Sequence, residues 1–332
     1  MKFQPEKFSK IIFDMDGVIT SEYTYWDSAA LTVYQLLYDY RYYGKSEIDR
    51  AWCRKNCKEI YNTIFCGGKT VRAVKSLGVN TNWDLAYIVF CVSKYLSPEL
   101  TEFDPWHFQS VCMFIENITA NAPEVYDLIA GLVKSAGAVP GDCKRSSDGL
   151  WSNLVGCFQK WYLGDENLPG LNRSEAPLIP LEKIKQTLSA LKNKGIRLGI
   201  GTGRPRAEII FPLENWGILQ YFESEMIATY DDILNAEKLL DPEVTLSKPH
   251  PFVFLKAAFS AELSDKELTE NDLKEKCKDI AVIGDAPSDL LAAKAADMCF
   301  AGVLTGIDRA SAEEYFSAHG ADYILNDMSE LA

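Results

Sequence analysis

Short apolar runs that end in glycine or a polar residue alternate with helically spaced stretches at both ends of this chain. The first run, Ile11-Ile12-Phe13, stops at Asp14-Met15-Asp16-Gly17. A continuous apolar run of this length reads as a strand buried on both faces, and Gly17 permits a sharp turn after it. The alternation resumes at Leu181. A helix is predicted over Leu181–Lys194, stopped by Gly195. A strand Arg197–Gly201 then leads into Thr202-Gly203-Arg204, and a helix covers Ala207–Asn215. Strand-like Met226–Thr229 leads to Ser247-Lys248-Pro249-His250-Pro251 and a helix ending near Glu262. Ser264–Lys278 is charge-rich and reads as a solvated helix-turn insertion. Strand Ile280–Ile283 ends at Gly284-Asp285, and a helix follows over Ser288–Ala296. A strand Met298–Leu304, a helix Arg309–Ala318 and a strand Tyr323–Leu325 complete the series. Strands and helices in this order predict an α/β fold: a Rossmann-like, three-layer parallel sheet with helices on both faces.

The residues between the first strand and Leu181 have a different pattern. From Ser21 to Pro177 the apolar positions follow helical spacing and β-branched runs are few. Helices are predicted at Trp26–Tyr43, Ile48–Phe65, Asn82–Leu96, Asp104–Ile118 and Pro123–Ala136. Gly137–Gly149 reads as a loop, and Gly164–Pro180 as the connection back. The expected organisation is therefore one α/β domain, residues 1–20 and 178–332, interrupted by a mainly α-helical insertion at 21–177. Trp26, Trp52, Trp83, Trp106, Trp151 and Trp161 all fall in the insertion, where they read as core. Arg50, Arg54, Lys55 and Lys58 read as a solvated helix face.

Composition narrows the class. The chain has 332 residues, 47% hydrophobic and 24% charged, which suits a folded globular protein with room for two domains. No apolar stretch is long enough to span a bilayer, and the opening MKFQPEKFSK has no secretory apolar core, so a cytoplasmic protein with no membrane partner is expected. Nine cysteines without a Cys-x-x-Cys pair, and only three histidines, argue for free buried thiols and against zinc. A net charge of −13 argues against a nucleic-acid partner. It does not exclude an anionic substrate, because one site can be locally positive on an acidic protein.

In a parallel sheet the carboxyl ends of all strands share one edge, where ligands bind. Asp14 and Asp16, Thr202, Lys248 and Asp285 all lie at or just beyond such ends. Together they supply the groups for phosphoryl transfer through an aspartyl-phosphate. Asp14 is the candidate nucleophile. Asp16 is the candidate acid for the leaving alcohol and then the base for water. Thr202 and the Gly203 backbone N–H can donate to phosphoryl oxygens. Lys248 offsets negative charge. Asp14 and Asp285 are candidate magnesium ligands, with Asp289 supporting that set or anchoring Lys248.

These segments resemble the four motifs of the haloacid dehalogenase-like (HAD) superfamily: Asp14-Met15-Asp16-Gly17-Val18, Thr202, Lys248-Pro249 and Gly284-Asp285-Ala286-Pro287-Ser288-Asp289. The resemblance covers Lys2–Ile19 and Leu181–Leu325. It implies a magnesium cofactor, with Asp16 contacting the metal through its backbone carbonyl, and a helical cap in the place of the insertion. Cys66-Gly67-Gly68-Lys69-Thr70-Val71-Arg72 resembles the specificity loop of such caps, which makes Lys69 and Arg72 candidate substrate contacts. A nucleotide-binding P-loop is rejected there, because its first glycine is replaced by Thr63 and the preceding segment reads as helix. Arg204 either touches phosphate or pairs with an acid of the cap. The expected function is a magnesium-dependent phosphatase for a small phosphorylated metabolite. A sugar phosphomutase and a non-catalytic binding scaffold stay open beside it, as does an oligomer formed through the cap. A dehalogenase or phosphonate hydrolase is disfavoured by the presence of Asp16.

Overall fold

The computed structural model describes residues 2–79, 81–141, 143–145, 149–240, 245–306 and 309–332. The chain divides into two compact units, Met1–Glu22 with Glu175–Ala332, and Tyr23–Ser174.

The first unit is an α/β sandwich on a six-stranded parallel sheet. Its strands are β1 (Lys10–Phe13), β4 (Arg197–Gly201), β5 (Ile227–Ala228), β6 (Ile280–Gly284), β7 (Cys299–Val303) and β8 (Tyr323–Leu325). β2 (Gly164–Asp165) and β3 (Leu168–Pro169) form a small antiparallel pair in the other unit. The sheet order is β5-β4-β1-β6-β7-β8. The chain therefore leaves β1 toward one edge through β4 and β5, then crosses to build β6, β7 and β8 on the other side. That reversal makes the carboxyl end of β1 the switch point of the sheet.

Strand alternation explains the burial. Ile11, Phe13, Ala281 and Ile283 belong to one apolar cluster, while Ile12, Ile280 and Val282 belong to a second. Consecutive side chains of β1 and β6 thus feed opposite faces, which is why these strands read as unbroken apolar runs. Phe13 is in register with both Ile200 of β4 and Ile283 of β6. Asp14 follows directly, and its N–H donates to Ile283 O at 2.9 Å.

The strands of the six-stranded sheet fall where the sequence puts them, as do the helices Leu181–Asn193, Arg206–Asn215, Pro287–Ala295 and Arg309–Ala318, whereas the β2–β3 pair lies in a stretch expected to be a connection. The charge-rich stretch holds two short helices, Asp265–Glu270 and Lys274–Cys277, the first closed by a Ser264–Glu267 capping box. The helix Tyr230–Leu240 was not expected. It buries only Ile233 and Ala236 on its apolar side, too thin a stripe to register as periodicity.

The second unit is helical: Tyr23–Tyr38, Arg50–Lys55, Cys57–Ile64, Lys69–Ser76, Asn82–Leu96, Pro105–Glu116, Glu124–Ala136 and Leu150–Tyr162. The first helix ends at Tyr38 rather than Tyr43. Asp39 takes the N–H and guanidinium of Arg41 on its carboxylate, and its own carbonyl accepts from Tyr42 and Gly44, closing a turn. The expected single helix over 48–65 is broken at Asn56, where ψ is 21°. Leu150–Tyr162 was missed although Leu154, Cys157, Phe158 and Trp161 are buried at helical spacing. Of the expected loop Gly137–Gly149, residues 142 and 146–148 lie outside the described residues.

Of the basic group, Lys55 and Lys58 are exposed as expected, but Arg50 and Arg54 are half-buried rather than solvated. Arg50 pairs with Asp165 and lies 4.8 Å over the Trp161 ring, and Arg54 donates to the Pro169 and Gly170 carbonyls, so both pin the β2–β3 hairpin. Trp26 and Trp161 are core, whereas Trp52 and Trp106 are exposed. All nine cysteines are free thiols. Among the described residues no helix is long and apolar enough to cross a membrane.

Candidate active site

The carboxyl ends of β1, β4 and β6 bring together most of the residues singled out from sequence. Asp14 is buried, and its Oδ1 lies 2.9 Å from Lys248 Nζ. The same Nζ lies 2.8 Å from Asp289 Oδ1, so one ammonium bridges two buried carboxylates. Lys248 reaches them from the segment before the helix Phe252–Phe259, with its Nζ 4.7 Å from the Phe254 ring centre. Burial acts to lower the lysine's proton affinity, but Asp14 and Asp289 more than offset it and hold the ammonium above its ordinary range. Burial also pushes the Asp14 carboxyl up to about 7. Lys248 opposes that shift, and Asp289 and Asp16 add to it. A buried carboxylate crowded by acids in this way is poised for a further cation.

That cation has a fitting donor set. Carboxylate oxygens of Asp14, Asp285 and Asp289 all lie within 4.8 Å of one another. Such all-oxygen donors suit a hard divalent ion that keeps some of its waters. Lys248 occupies Oδ1 of Asp14 and of Asp289, which leaves Asp14 its second oxygen and Asp289 an Oδ2 that accepts one backbone N–H. Asp289 is fixed by accepting the Ala286 N–H at 3.2 Å in the first turn of its helix.

Asp285 is packed against backbone. A Cβ on Gly17 would stand 2.0 Å from Asp285 Oδ2, and one on Gly306 would stand 2.5 Å from it. Gly17 also has a φ of +69°, a conformation that L side chains rarely adopt. Thr305 donates its hydroxyl to the Gly17 carbonyl and fastens this contact. Gly17→Ala is therefore expected to displace Asp285 and weaken divalent-metal binding by roughly tenfold or more, in line with other changes to metal-supporting groups. Titration calorimetry with magnesium checks this; unchanged affinity would mean that Asp285 is not a ligand.

Thr202 is buried at the end of β4, its N–H bonded to Ala228 O and its Oγ1 accepting from the Arg204 N–H at 3.2 Å. Gly203 beside it is exposed. Asp16 stands apart from the acidic trio. Its carboxylate receives Arg204 Nε on Oδ2 at 2.9 Å and Arg204 Nη2 on Oδ1. The Arg204 side chain is 3% exposed and also pairs with Glu175 Oε1 at 2.7 Å. Its guanidinium is thus engaged by acids and is not presented as a phosphate ligand. Lys69 and Arg72 lie in the helical unit, both exposed, at the first and fourth positions of the helix Lys69–Ser76.

Sequence reasoning missed Glu175, Thr305 and Gly306. Glu175 lies in the connecting stretch, where no periodicity or motif marks it. Thr305-Gly306 follows β7, and the placement of a small residue just past a strand's carboxyl end was the available signal.

Known proteins share this fold and parts of this sequence. A solved X-ray structure of a structural-genomics target is 32% identical, covers 97% of each chain and superposes with a TM-score of 0.79. Pyrophosphatase PpaX of Bacillus pumilus (strain SAFR-032) is 29% identical over 150 residues, 45% of this chain, and the match spans 56% of that protein's length. The family model for haloacid dehalogenase-like hydrolases matches residues 100–297, a stretch that contains Thr202, Lys248, Asp285 and Asp289. With three-fifths of its length matched, and with the acids and lysine of that stretch gathered at one sheet edge beside Asp14, the chain belongs to the haloacid dehalogenase-like hydrolase family.

Proposed function

We propose that this hydrolase is a magnesium-dependent phosphatase acting on small phosphorylated metabolites through an aspartyl-phosphate on Asp14. The observation that carries this reading is the buried Asp14 carboxylate at the switch point, with Lys248 at 2.9 Å and two further acids within 4.8 Å. An Asp14 carboxylate oxygen attacks phosphorus. The ester P–O bond breaks, and the leaving oxygen takes a proton from Asp16. Asp16, now a carboxylate, takes a proton from water, whose oxygen attacks the same phosphorus. The aspartyl P–O bond breaks, returning Asp14 and releasing inorganic phosphate. Thr202 Oγ1 and the Gly203 N–H donate to phosphoryl oxygens, and Lys248 offsets their charge. Asp14, Asp285, Asp289 and the Asp16 backbone carbonyl would hold magnesium, which when bound neutralises phosphoryl charge.

The helical unit is proposed as the cap that selects the substrate, with Lys69 and Arg72 binding its distal groups. The pyrophosphatase relative keeps a phosphoanhydride among the candidate substrates, since breaking P–O–P uses the same attack. The test is phosphate release across a panel of sugar phosphates, carboxylate-bearing phosphates, nucleotides and inorganic pyrophosphate, with and without magnesium. Release that requires magnesium is expected. For the best substrate, Lys69→Ala or Arg72→Ala should raise KM by roughly tenfold and leave kcat nearly unchanged, the signature of lost uniform binding. A folded protein that binds magnesium but turns over nothing would contradict the reading.

A further inference from the structure

Arg204 is a buried cation of the α/β unit that takes no part in the chemistry above. Arg204 donates Nε to Asp16 Oδ2 at 2.9 Å, and Nη2 to Asp16 Oδ1 and to Thr20 Oγ1, the last at 2.9 Å. Its Nη2 also pairs with Glu175 Oε1 at 2.7 Å. The Arg204 and Glu175 side chains are 3% and 1% exposed, whereas the Asp16 side chain is 24% exposed. Water alone could therefore satisfy Asp16. What the arginine adds is direction: its planar fork takes one lone pair on each carboxylate oxygen and fixes the plane of the group. Oδ1 also lies 3.2 Å from the Thr20 hydroxyl, which leaves Oδ2 as the oxygen with a second lone pair on which a proton can be held or received.

The fork is itself braced from two segments. Residues 19–21 run beside 176–178, with Leu178 N–H donating to Ile19 O at 2.9 Å and Ser21 N–H to Ala176 O at 3.4 Å. Thr20 bridges Pro177 in the same pair. Glu175 on one segment, and Asp16 and Thr20 on the other, thereby converge on one guanidinium. The guanidinium has little freedom, because leaving the buried Glu175 carboxylate without its partner is costly.

We infer that Arg204 and Glu175 are positioning residues for proton transfer by Asp16: Arg204 sets the plane of the carboxylate and Glu175 holds Arg204 in place. This rests on the phosphatase reading and assigns Glu175 a part in it. Misplacing an acid–base group slows the steps that need its proton and spares those that do not. p-Nitrophenolate leaves without protonation, whereas phenolate is a much stronger base and needs the acid. Hydrolysis of the aspartyl-phosphate needs the base with either ester.

The test uses Glu175→Gln, which keeps the shape of the side chain, and Arg204→Lys, which keeps the charge but loses the fork. Pre-steady-state release from p-nitrophenyl phosphate and phenyl phosphate is measured with magnesium, per active site counted from the burst. In both variants the p-nitrophenol burst should stay within about threefold of wild type, while the phenol-forming step and steady-state kcat fall by roughly ten- to a hundredfold; KM for p-nitrophenyl phosphate should fall with kcat, because breakdown of the aspartyl-phosphate limits its turnover. In an Asp16→Ala background, Glu175→Gln should cost nothing further. The ratio between the two esters does not depend on how much protein is folded, so partial misfolding cannot imitate the result. Equal falls for both esters, or a rise in KM with the burst rate lost, would overturn the inference and make Arg204 a phosphate ligand or a purely structural ion pair. Absence of magnesium-dependent turnover of both esters by the wild type would instead overturn the phosphatase reading.

Discussion

Asp14→Asn protein is expected to release no phosphate, yet to unfold at a higher temperature than wild type when both are free of metal and held above pH 7. The two halves have one origin. An amide cannot attack phosphorus, so phosphorylation stops, and the loss should reach at least about ten-thousandfold, as for other covalent nucleophiles. The stability change has the opposite sign because the native carboxylate is poorly solvated. Asp14 goes from an ordinary value of 3.8 to about 7 in the fold, with burial the largest cause. Between these values the folded protein holds a proton that the unfolded chain has released. Stability from this group therefore falls as pH rises through that window, and the full penalty stands above about 7. The difference corresponds to a few kcal/mol at most, at about 1.4 kcal/mol per pH unit. Asparagine has no charge to desolvate and escapes it. Magnesium should reverse the order, because only the carboxylate gains from the cation. Thermal unfolding at pH 5 and pH 8, with and without magnesium, reads all of this. A metal-free Asp14→Asn protein less stable at pH 8 would mean that the Asp14–Lys248 pair is a net structural asset. Surviving turnover would place the nucleophile elsewhere.

The same cluster shows why the sheet was readable and its supports were not. β1, β4 and β6 each carry their signal locally, as an apolar run that ends in a polar residue. Parallel topology then sends Asp14, Thr202 and Asp285 to one edge without any knowledge of contacts. The place of Lys248 follows from the same order of elements. Glu175 has no such local mark. Its meaning lies in a contact with Arg204, 29 positions away, and through it with Asp16, so only the folded chain reveals it. The Arg204 side chain was seen but not its direction, since phosphate and a carboxylate attract a guanidinium equally well. In the helical unit the pattern predicts helices but not their ends. Those depend on single features such as the Asp39–Arg41 turn and the break at Asn56. Arg50 and Arg54 look solvated on a helical wheel. They are half-buried because the β2–β3 hairpin, distant in sequence, lies against them.

Lys248→Met should cost both activity and stability, and magnesium should restore only the stability. The ammonium now lies 2.9 Å from Asp14 and 2.8 Å from Asp289, with its side chain 12% exposed. Removing it leaves two acids facing each other in a buried site. Breaking a buried pair from one side costs about 3–5 kcal/mol. The protein can limit that loss by binding a proton. Since Lys248 is what lowers the Asp14 value, its removal shifts proton uptake by Asp14 to higher pH. Metal-free Lys248→Met protein should therefore be most destabilised at alkaline pH and approach wild type as the pH falls. A divalent cation among Asp14, Asp285 and Asp289 supplies the missing charge, so its stabilising effect should be larger in the variant than in wild type. Turnover should stay about a thousandfold down even with saturating magnesium, because a charge directed at the phosphoryl group is still absent. Lys248→Arg should not rescue it, as a planar fork cannot replace a compact ammonium between two oxygens. Thermal unfolding and phosphate release on one magnesium series separate the two roles. Unaltered metal-free stability would show that Lys248 is not the counter-ion of the acids. Turnover restored together with stability would show that its positive charge, wherever supplied, is all the reaction requires.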